Sequence, residues 1–185
     1  GHSMPSIKEA LGAMIPGMQA EIKDLVKTHG DKVISEVTLK QIYGGMRGVK
    51  GLCCDTSMVD PIDVLIIRGI PLGDLFDKYP EEIFSLLCTG DLPEGEDVDA
   101  LKADFGQRAA IPSFVEDVLR ALPNTAHPMA MFITAISALE EQSYFRKRYD
   151  EGMTRGEMWE AALEDSLNLL AKLPALAAAR PPANR

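Results

Sequence analysis

Ile7, Leu11, Met14, Ile15, Met18, Ile22, Leu25 and Val26 return every three or four residues, which lines them along one face of a helix. Ser6 precedes Glu9 by three, so the serine oxygen takes an orphan amide while the glutamate returns the bond. The spacing predicts a helix opening at Ser6, stopped by a left-handed Gly30, and kinked or broken at Pro16, whose ring crowds the preceding turn. Thr38 caps a second, short helix that ends in the glycines around Arg47. Between Leu52 and Gly69 the period changes. "GLCCDTSMVDP" and "VLIIRG" are short and apolar, an Asp-Pro turn parts them, and together they predict a small β-ribbon. Helix returns in "PLGDLFDKY" and in "PEEIFSLLCTG", with Pro80 in the first turn and Gly90 past the end. "EGEDVDALKADFGQRAA" stops before Pro112, which starts "PSFVEDVLRAL". "HPMAMFITAISALEEQSYFRKRYDEGM" reads as the longest apolar helix. Thr154 and Glu157 repeat the capping-box spacing and open "MWEAALEDSLNLLAKLPALAAA", which Pro181 and Pro182 end. Helices joined by Pro/Gly punctuation, with one small ribbon near 52–69, predict an all-α fold. Residues 1–4 (Gly-His-Ser-Met) read as a tag scar, and residues 5–185 as a single helical domain.

Composition narrows the partners more than the fold. The 185 residues suffice for one ordinary domain with a real core. A formal charge of −9 repels nucleic acid phosphate, so an anion site must be a local basic cluster in a negative field. No apolar run reaches the length of a membrane span. Cys53, Cys54 and Cys88 are odd in number, two of them are adjacent, and no C-x-x-C pair occurs, so no disulfide framework is expected. Their commoner role is as buried, inert thiols in a reducing compartment, cytosol or mitochondrial matrix; the rarer one is a reactive vicinal pair.

Charge concentrates where glycine does. Tyr43–Gly51 holds four glycines, one arginine and one lysine. Glycine permits left-handed backbone and close approach, which suits an arginine presented to an anion. A plain surface turn with a solvated Arg47 fits the same pattern, and the residues alone leave both readings open. The spacing is neither that of a dinucleotide fingerprint nor that of a Walker loop. The next basic group is Arg146, Lys147 and Arg148, with Arg155 after Gly152. It complements a helix C-terminus, and Arg47 and Arg155 each offer a planar fork to phosphate oxygens. His29 suits a helix end and His127 a helix start. No histidine-cysteine cluster supports zinc, and Ser57 and Ser113 lie in no nucleophile elbow. Asp60 before Pro61 is a turn residue.

"YGGMRGVKGLCCDTSMVDP" with Arg68–Gly69, "IFSLLCTGDLP", "HPMAMFITAISALEEQSYFRKRYDEGMTRGEMWE" and "LNLLAKLPALAA" together resemble the N-terminal large-domain region of mitochondrial-type citrate synthase. The resemblance runs in order over nearly the whole chain. It implies a helical segment of a homodimeric enzyme of the mitochondrial matrix that condenses acetyl-coenzyme A with oxaloacetate and water, giving citrate and coenzyme A. It implies no tightly bound cofactor, and a catalytic His/His/Asp set in the later part of the family's chain, so that these residues alone are expected to be inactive. Arg47 and Arg155 match family arginines that contact coenzyme A phosphates. The chain departs from the pattern at Val64 and Ile67, where the family has glycine and an aromatic residue. A non-catalytic module, retaining the fold for dimerisation or partner binding, is the other reading.

Overall fold

The computed structural model describes residues 6–179; the tag scar and the two expected terminal prolines lie outside them. Eight α-helices and one three-stranded antiparallel sheet make up the regular structure of the described residues. The chain divides into two compact units, residues 1–94 and 95–185.

In the first unit, α1 (Ile7–His29) opens with the expected box: the Ser6 side chain accepts from Glu9 N and Glu9 Oε2 from Ser6 N. The helix passes Pro16 without a break into two pieces. Gly30 is not left-handed. At φ −59° it continues the right-handed turn, its N–H donating to Val26 O at 2.8 Å, so α1 ends by running on into a turn. Helix α2 (Leu39–Tyr43) is capped by Thr38 and Gln41.

Strands β1 (Ser57–Asp60) and β2 (Val64–Ile67) pair from Ser57↔Ile67 to Asp60↔Val64. Asp60 Oδ1 closes their turn by accepting from Ile62 N at 2.7 Å and Asp63 N at 2.9 Å. Val64 leaves that turn at φ 63°. A β-branched side chain in the left-handed region is strained. Arg68 (φ 48°) and Gly69 (φ 83°) then form a two-residue turn of the primed kind into β3 (Ile70–Pro71). "PLGDLFDKY" yields only a short 3-10 turn at Leu72–Leu75 instead of a helix.

The sheet packs on α3 (Pro80–Thr89): Ile67, Leu75 and Leu86 are buried, with Leu65, Ile70, Ile83 and Leu92 around them. Gly90 closes α3 at φ 85°, and the Arg68 guanidinium lies against it; a Cβ there would meet Arg68 Nη2 at 2.6 Å. A cation thus sits at the negative end of the helix dipole.

The second unit is helical throughout: α4 (Glu96–Arg108), α5 (Ser113–Ala121), α6 (Pro128–Ala138), α7 (Tyr144–Asp150) and α8 (Met158–Ala178). Helix α8 runs against α4, α6 and α7. Val115, Leu119, Met131, Ala135 and Leu176 form the buried core, with Phe114, Phe132 and Ile136 packed onto it.

The single long apolar helix is in fact two. α6 tightens into a 3-10 turn at Leu139–Gln142, the backbone becomes extended at Ser143, and α7 starts anew. The cause is Asp165 of α8. Its carboxylate accepts from Ser143 Oγ (2.7 Å), Tyr144 N (2.7 Å) and Phe145 N (3.0 Å), supplying from a distance the partners a helix start lacks.

Candidate functional site

The glycine-rich segment is a displayed turn. Gly44 N donates to Lys40 O at 2.9 Å and ends α2; Met46 N reaches back to Gln41 O at 2.7 Å. Gln41 then fixes both sides of the turn. Its Oε1 accepts from Thr38 N at 3.0 Å, and its Nε2 donates to the Arg47 carbonyl at 3.4 Å. Gly45 and Gly48 stand at φ 76°, and Met46 between them at φ 62°. Holding a methionine there costs roughly 1–2 kcal/mol. The carbonyl of Arg47 is tied down and its exposed side chain is left outward.

Arg155 is displayed by a different device. Gly152, at φ 91°, ends the turn after α7, and buried Met153 anchors the next step. Thr154 and Glu157 form the expected box: Thr154 N and Oγ1 donate to Glu157 Oε2 at 2.9 and 2.6 Å. Arg148 Nη2 donates to the other oxygen, Oε1, at 3.2 Å. The Thr154 hydroxyl foremost, then its amide and Arg148, hold the Glu157 carboxyl below its ordinary pKa. The carboxylate nearest in sequence to exposed Arg155 is therefore already engaged.

The other described arginines are paired. Arg68 faces Asp55, Arg108 pairs with Asp104 and Glu164, Arg120 with Glu116 and Asp117, Arg146 with Glu140 and Glu141, and Arg148 with Glu157. Arg47 and Arg155 are the two arginines of the described residues without a carboxylate partner. They belong to different units, and each is described within its own.

The remaining candidates resolve into structural roles. His127 Nδ1 accepts from Met129 N at 3.1 Å and caps α6. His29 lies exposed in the last turn of α1. Asp60 is the turn residue expected of it. Of the basic run, Lys147 and Arg148 lie in the last turn of α7, where a cation suits the helix end as expected, and Arg146 and Arg148 are also held in ion pairs. The thiols differ from expectation: all three are free, but Cys53 and Cys54 are exposed and only Cys88 is partly covered.

Sequence reasoning missed a polar network in the second unit. Arg108 holds α4 to α8, its guanidinium reaching Asp104 (3.0 Å), Glu164 (2.7 Å) and Asn168 (2.8 Å), while Lys172 Nζ donates to the Arg108 carbonyl at 2.6 Å. The four-residue steps Asp104–Arg108 and Glu164–Asn168–Lys172 were the available signal. Two open clefts of about 650 and 630 Å³ border this network, sharing Gln142, Ser143 and Asn168. Their charged groups are largely committed to one another, and the hydroxyl that touches a carboxylate there, Ser143 on Asp165, belongs to the start of α7. No group of residues suited to a metal ion occurs among the described residues, and no described helix is long and apolar enough to cross a membrane.

The sequence profile described as "Citrate synthase, C-terminal domain" matches residues 45–183. The chain belongs to the citrate synthase family. It is 42% identical to the mitochondrial citrate synthase of Saccharomyces cerevisiae over 95% of this chain and 39% of that protein. It is likewise 42% identical to the mitochondrial 2-methylcitrate synthase of Yarrowia lipolytica, over 92% of this chain and 39% of that protein. Citrate synthase 4, mitochondrial, of Arabidopsis thaliana is 37% identical over 93% of this chain and 38% of its own length. The chain thus spans about two fifths of these relatives. The crystal structure of citrate synthase from Pyrobaculum aerophilum shares the fold at a TM-score of 0.62, with 21% identity, over 78% of this chain and 38% of that one. The mostly helical fold with its small ribbon is that of a citrate synthase neighbour.

Proposed function

We propose that this chain is the N-terminal large-domain region of a citrate synthase and carries two of its coenzyme A phosphate contacts, Arg47 and Arg155. The whole enzyme joins the acetyl carbon of acetyl-coenzyme A to the oxaloacetate carbonyl and hydrolyses the thioester. Acetyl-coenzyme A and oxaloacetate are substrates, and no cofactor stays tightly bound. The observation that carries the site is the pairing pattern: these two arginines alone, among those described, keep their guanidinium free of carboxylates. A guanidinium fork without a carboxylate retains its full capacity for phosphate oxygens. The names of the relatives support a mitochondrial matrix location.

The 185 residues alone are inactive in this reading. Of the described histidines, one caps a helix and the other is exposed at a helix end. Neither is placed beside a carboxylate to enolise a thioester, and general acid–base groups are each worth roughly 10²–10⁴ in rate. A thiol-release assay with acetyl-coenzyme A and oxaloacetate reads at background; steady turnover by the purified chain overturns this. Because the relatives include a 2-methylcitrate synthase, the assay is repeated with an acyl thioester one carbon longer.

For the binding site, coenzyme A and dephospho-coenzyme A are titrated into wild type, Arg47→Ala and Arg155→Ala at low and high salt. Low-salt binding weakens by roughly 2- to 5-fold in either variant, as exposed charge contacts do, and high salt removes it. Equal binding by all three proteins, or none at any salt, makes the arginines ordinary surface residues.

A second reading has its own observation. Val33, Ile34, Leu39, Ile42 and Tyr43 are exposed in the first unit, and Met129 and Ile133 on α6 in the second. Uncovered apolar side chains of this kind favour an interface, so a homodimer or a partner-binding module also fits. On α8, Leu163, Leu167 and Ala171 are buried within the unit and add nothing to such a face. Sedimentation over a range of concentrations decides it: a monomer throughout removes self-association.

A further inference from the structure

Arg148 brackets the short stretch that carries Arg155. Its carbonyl accepts from Met153 N at 2.9 Å, which closes the turn after α7 where the Met153 side chain is buried. Its guanidinium reaches nine residues on, Nη2 donating to Glu157 Oε1 at 3.2 Å. That guanidinium is itself seated: Nη1 donates to the Tyr144 hydroxyl at 3.3 Å, and the Tyr144 ring centre lies 5.9 Å from Cζ. The second oxygen of Glu157 accepts from Thr154 N and Oγ1 at 2.9 and 2.6 Å. Glu157 thus commits one oxygen to the turn and the other to α7. Exposed Arg155 stands between buried Met153 and this carboxylate.

We propose that Glu157 is a positioning residue for the phosphate contact of Arg155: its carboxylate ties the turn 152–157 to α7 through Arg148 and so fixes the backbone from which Arg155 is displayed. The inference rests on the coenzyme A reading above and deepens it, naming what holds one of the two arginines in place. Glu157 touches no substrate and acts through Arg155. An exposed arginine already forfeits rotamer freedom when it grips a phosphate. A mobile backbone beneath it would add a second ordering cost, and a fixed one removes that cost before the ligand arrives.

Charge argues the opposite way, which makes the role decidable. Glu157 is an acid two residues from Arg155, so the field alone predicts that removing it strengthens anion binding. Positioning predicts that removing it weakens binding. The carboxylate can order the turn without repelling phosphate because Arg148 neutralises it: the acid brings its own cation.

The test titrates coenzyme A at low salt into Glu157→Ala, Glu157→Gln and Thr154→Val, each also in the Arg155→Ala and Arg47→Ala backgrounds. Glu157→Ala weakens binding by about 2-fold and never beyond Arg155→Ala itself. Glu157→Gln, which keeps an acceptor for Thr154 and loses the pair with Arg148, lies between Glu157→Ala and the wild type. Thr154→Val, which changes no charge, also weakens binding. All three substitutions lose their effect in the Arg155→Ala background and keep it in Arg47→Ala, because a group acting through one residue couples to that residue alone. Backbone amide exchange at 154–157 accelerates in Glu157→Ala, while exchange in α5 stays as in the wild type. Binding by Glu157→Ala equal to or tighter than wild type, an effect undiminished without Arg155, or unchanged exchange at 154–157 overturns the positioning role and leaves the coenzyme A contacts standing. Wild-type binding by Arg155→Ala removes that contact and the positioning role with it.

Discussion

The two units spend their apolar residues differently. In residues 95–179 nearly every large hydrophobic side chain finds a neighbour, and the exposed ones reduce to Met129, Ile133, Tyr144 and Tyr149. In residues 6–94 the buried core is small, and Ile22, Leu25, Val26, Val33, Ile34, Leu39, Ile42, Leu52, Ile62 and Phe76 are all exposed. Backbone strain follows the same division. The non-glycine residues at positive φ, Met46, Val64 and Arg68, all belong to the first unit. The long-range charged network belongs to the second. One unit is held by its interior; the other offers turns and apolar faces outward. Strain of this kind gathers at binding segments, and the segment displaying Arg47 is one of its sites.

Core truncation breaks this contrast most directly. Leu119→Ala, in the second unit, should lower stability by about 2–5 kcal/mol, while Ile22→Ala on the exposed face of α1 stays within about 0.5 kcal/mol. Urea unfolding of both variants measures the difference; equal losses would mean that α1 is covered in solution. Next in size is Arg108→Ala. Removing a guanidinium shared by Asp104, Glu164 and Asn168 should cost about 1.5–3 kcal/mol, and a value near zero would reduce the network to surface pairs.

Val64→Gly sharpens the comparison in the opposite direction. Glycine relieves about 1–2 kcal/mol of left-handed strain and loses about 0.5–1 kcal/mol to chain entropy. A small net stabilisation, of several tenths up to about 1 kcal/mol, is expected as a raised melting temperature. Val64, one of the two positions at which the resemblance implies a different residue, is thus a strained position. Destabilisation by the glycine would show that the Val64 side chain has contacts worth more than its strain.

The smallest effect is at acid pH. Asp60 is held below its ordinary pKa by the amides of Asp63 and Ile62, and Glu157 foremost by Thr154. In both cases the unfolded state binds the proton more readily. The stability they contribute is present above the ordinary carboxylate pKa and lost as pH falls through the lower folded value. Thr154→Val and Asp60→Ala should each flatten the acid limb of a stability-against-pH curve, one in each unit. Curves parallel to wild type would remove the linkage.

What the sequence disclosed was local. Ser6 with Glu9 and Thr154 with Glu157 lie three residues apart, so the helix starts they make are written within one turn of chain. The ribbon was legible through its change of period and its Asp-Pro turn. The break at Ser143 was not, because the carboxylate that makes it, Asp165, comes from another helix. Gly30 was misread because glycine permits the left-handed region without requiring it. For the candidate site, Arg47 and Arg155 stood out by resemblance, but their freedom from carboxylates depends on where every other acid has gone. Composition lists charges; only the fold pairs them.

Gly90 carries a consequence for how this chain can drift. Its φ of 85° disfavours any side chain, and its open Cβ position is filled by the tip of Arg68, which comes from the other side of the sheet turn. The two positions are constrained unequally: the φ of Gly90 disfavours a side chain whatever stands at 68, whereas the Arg68 tip can swing aside. An alanine at 90 meets a guanidinium already seated there, while a shorter residue at 68 leaves the α3 terminus without its cation. Across descendants of this sequence Gly90 should therefore stay glycine, while position 68 is free to change wherever another cation reaches the end of α3.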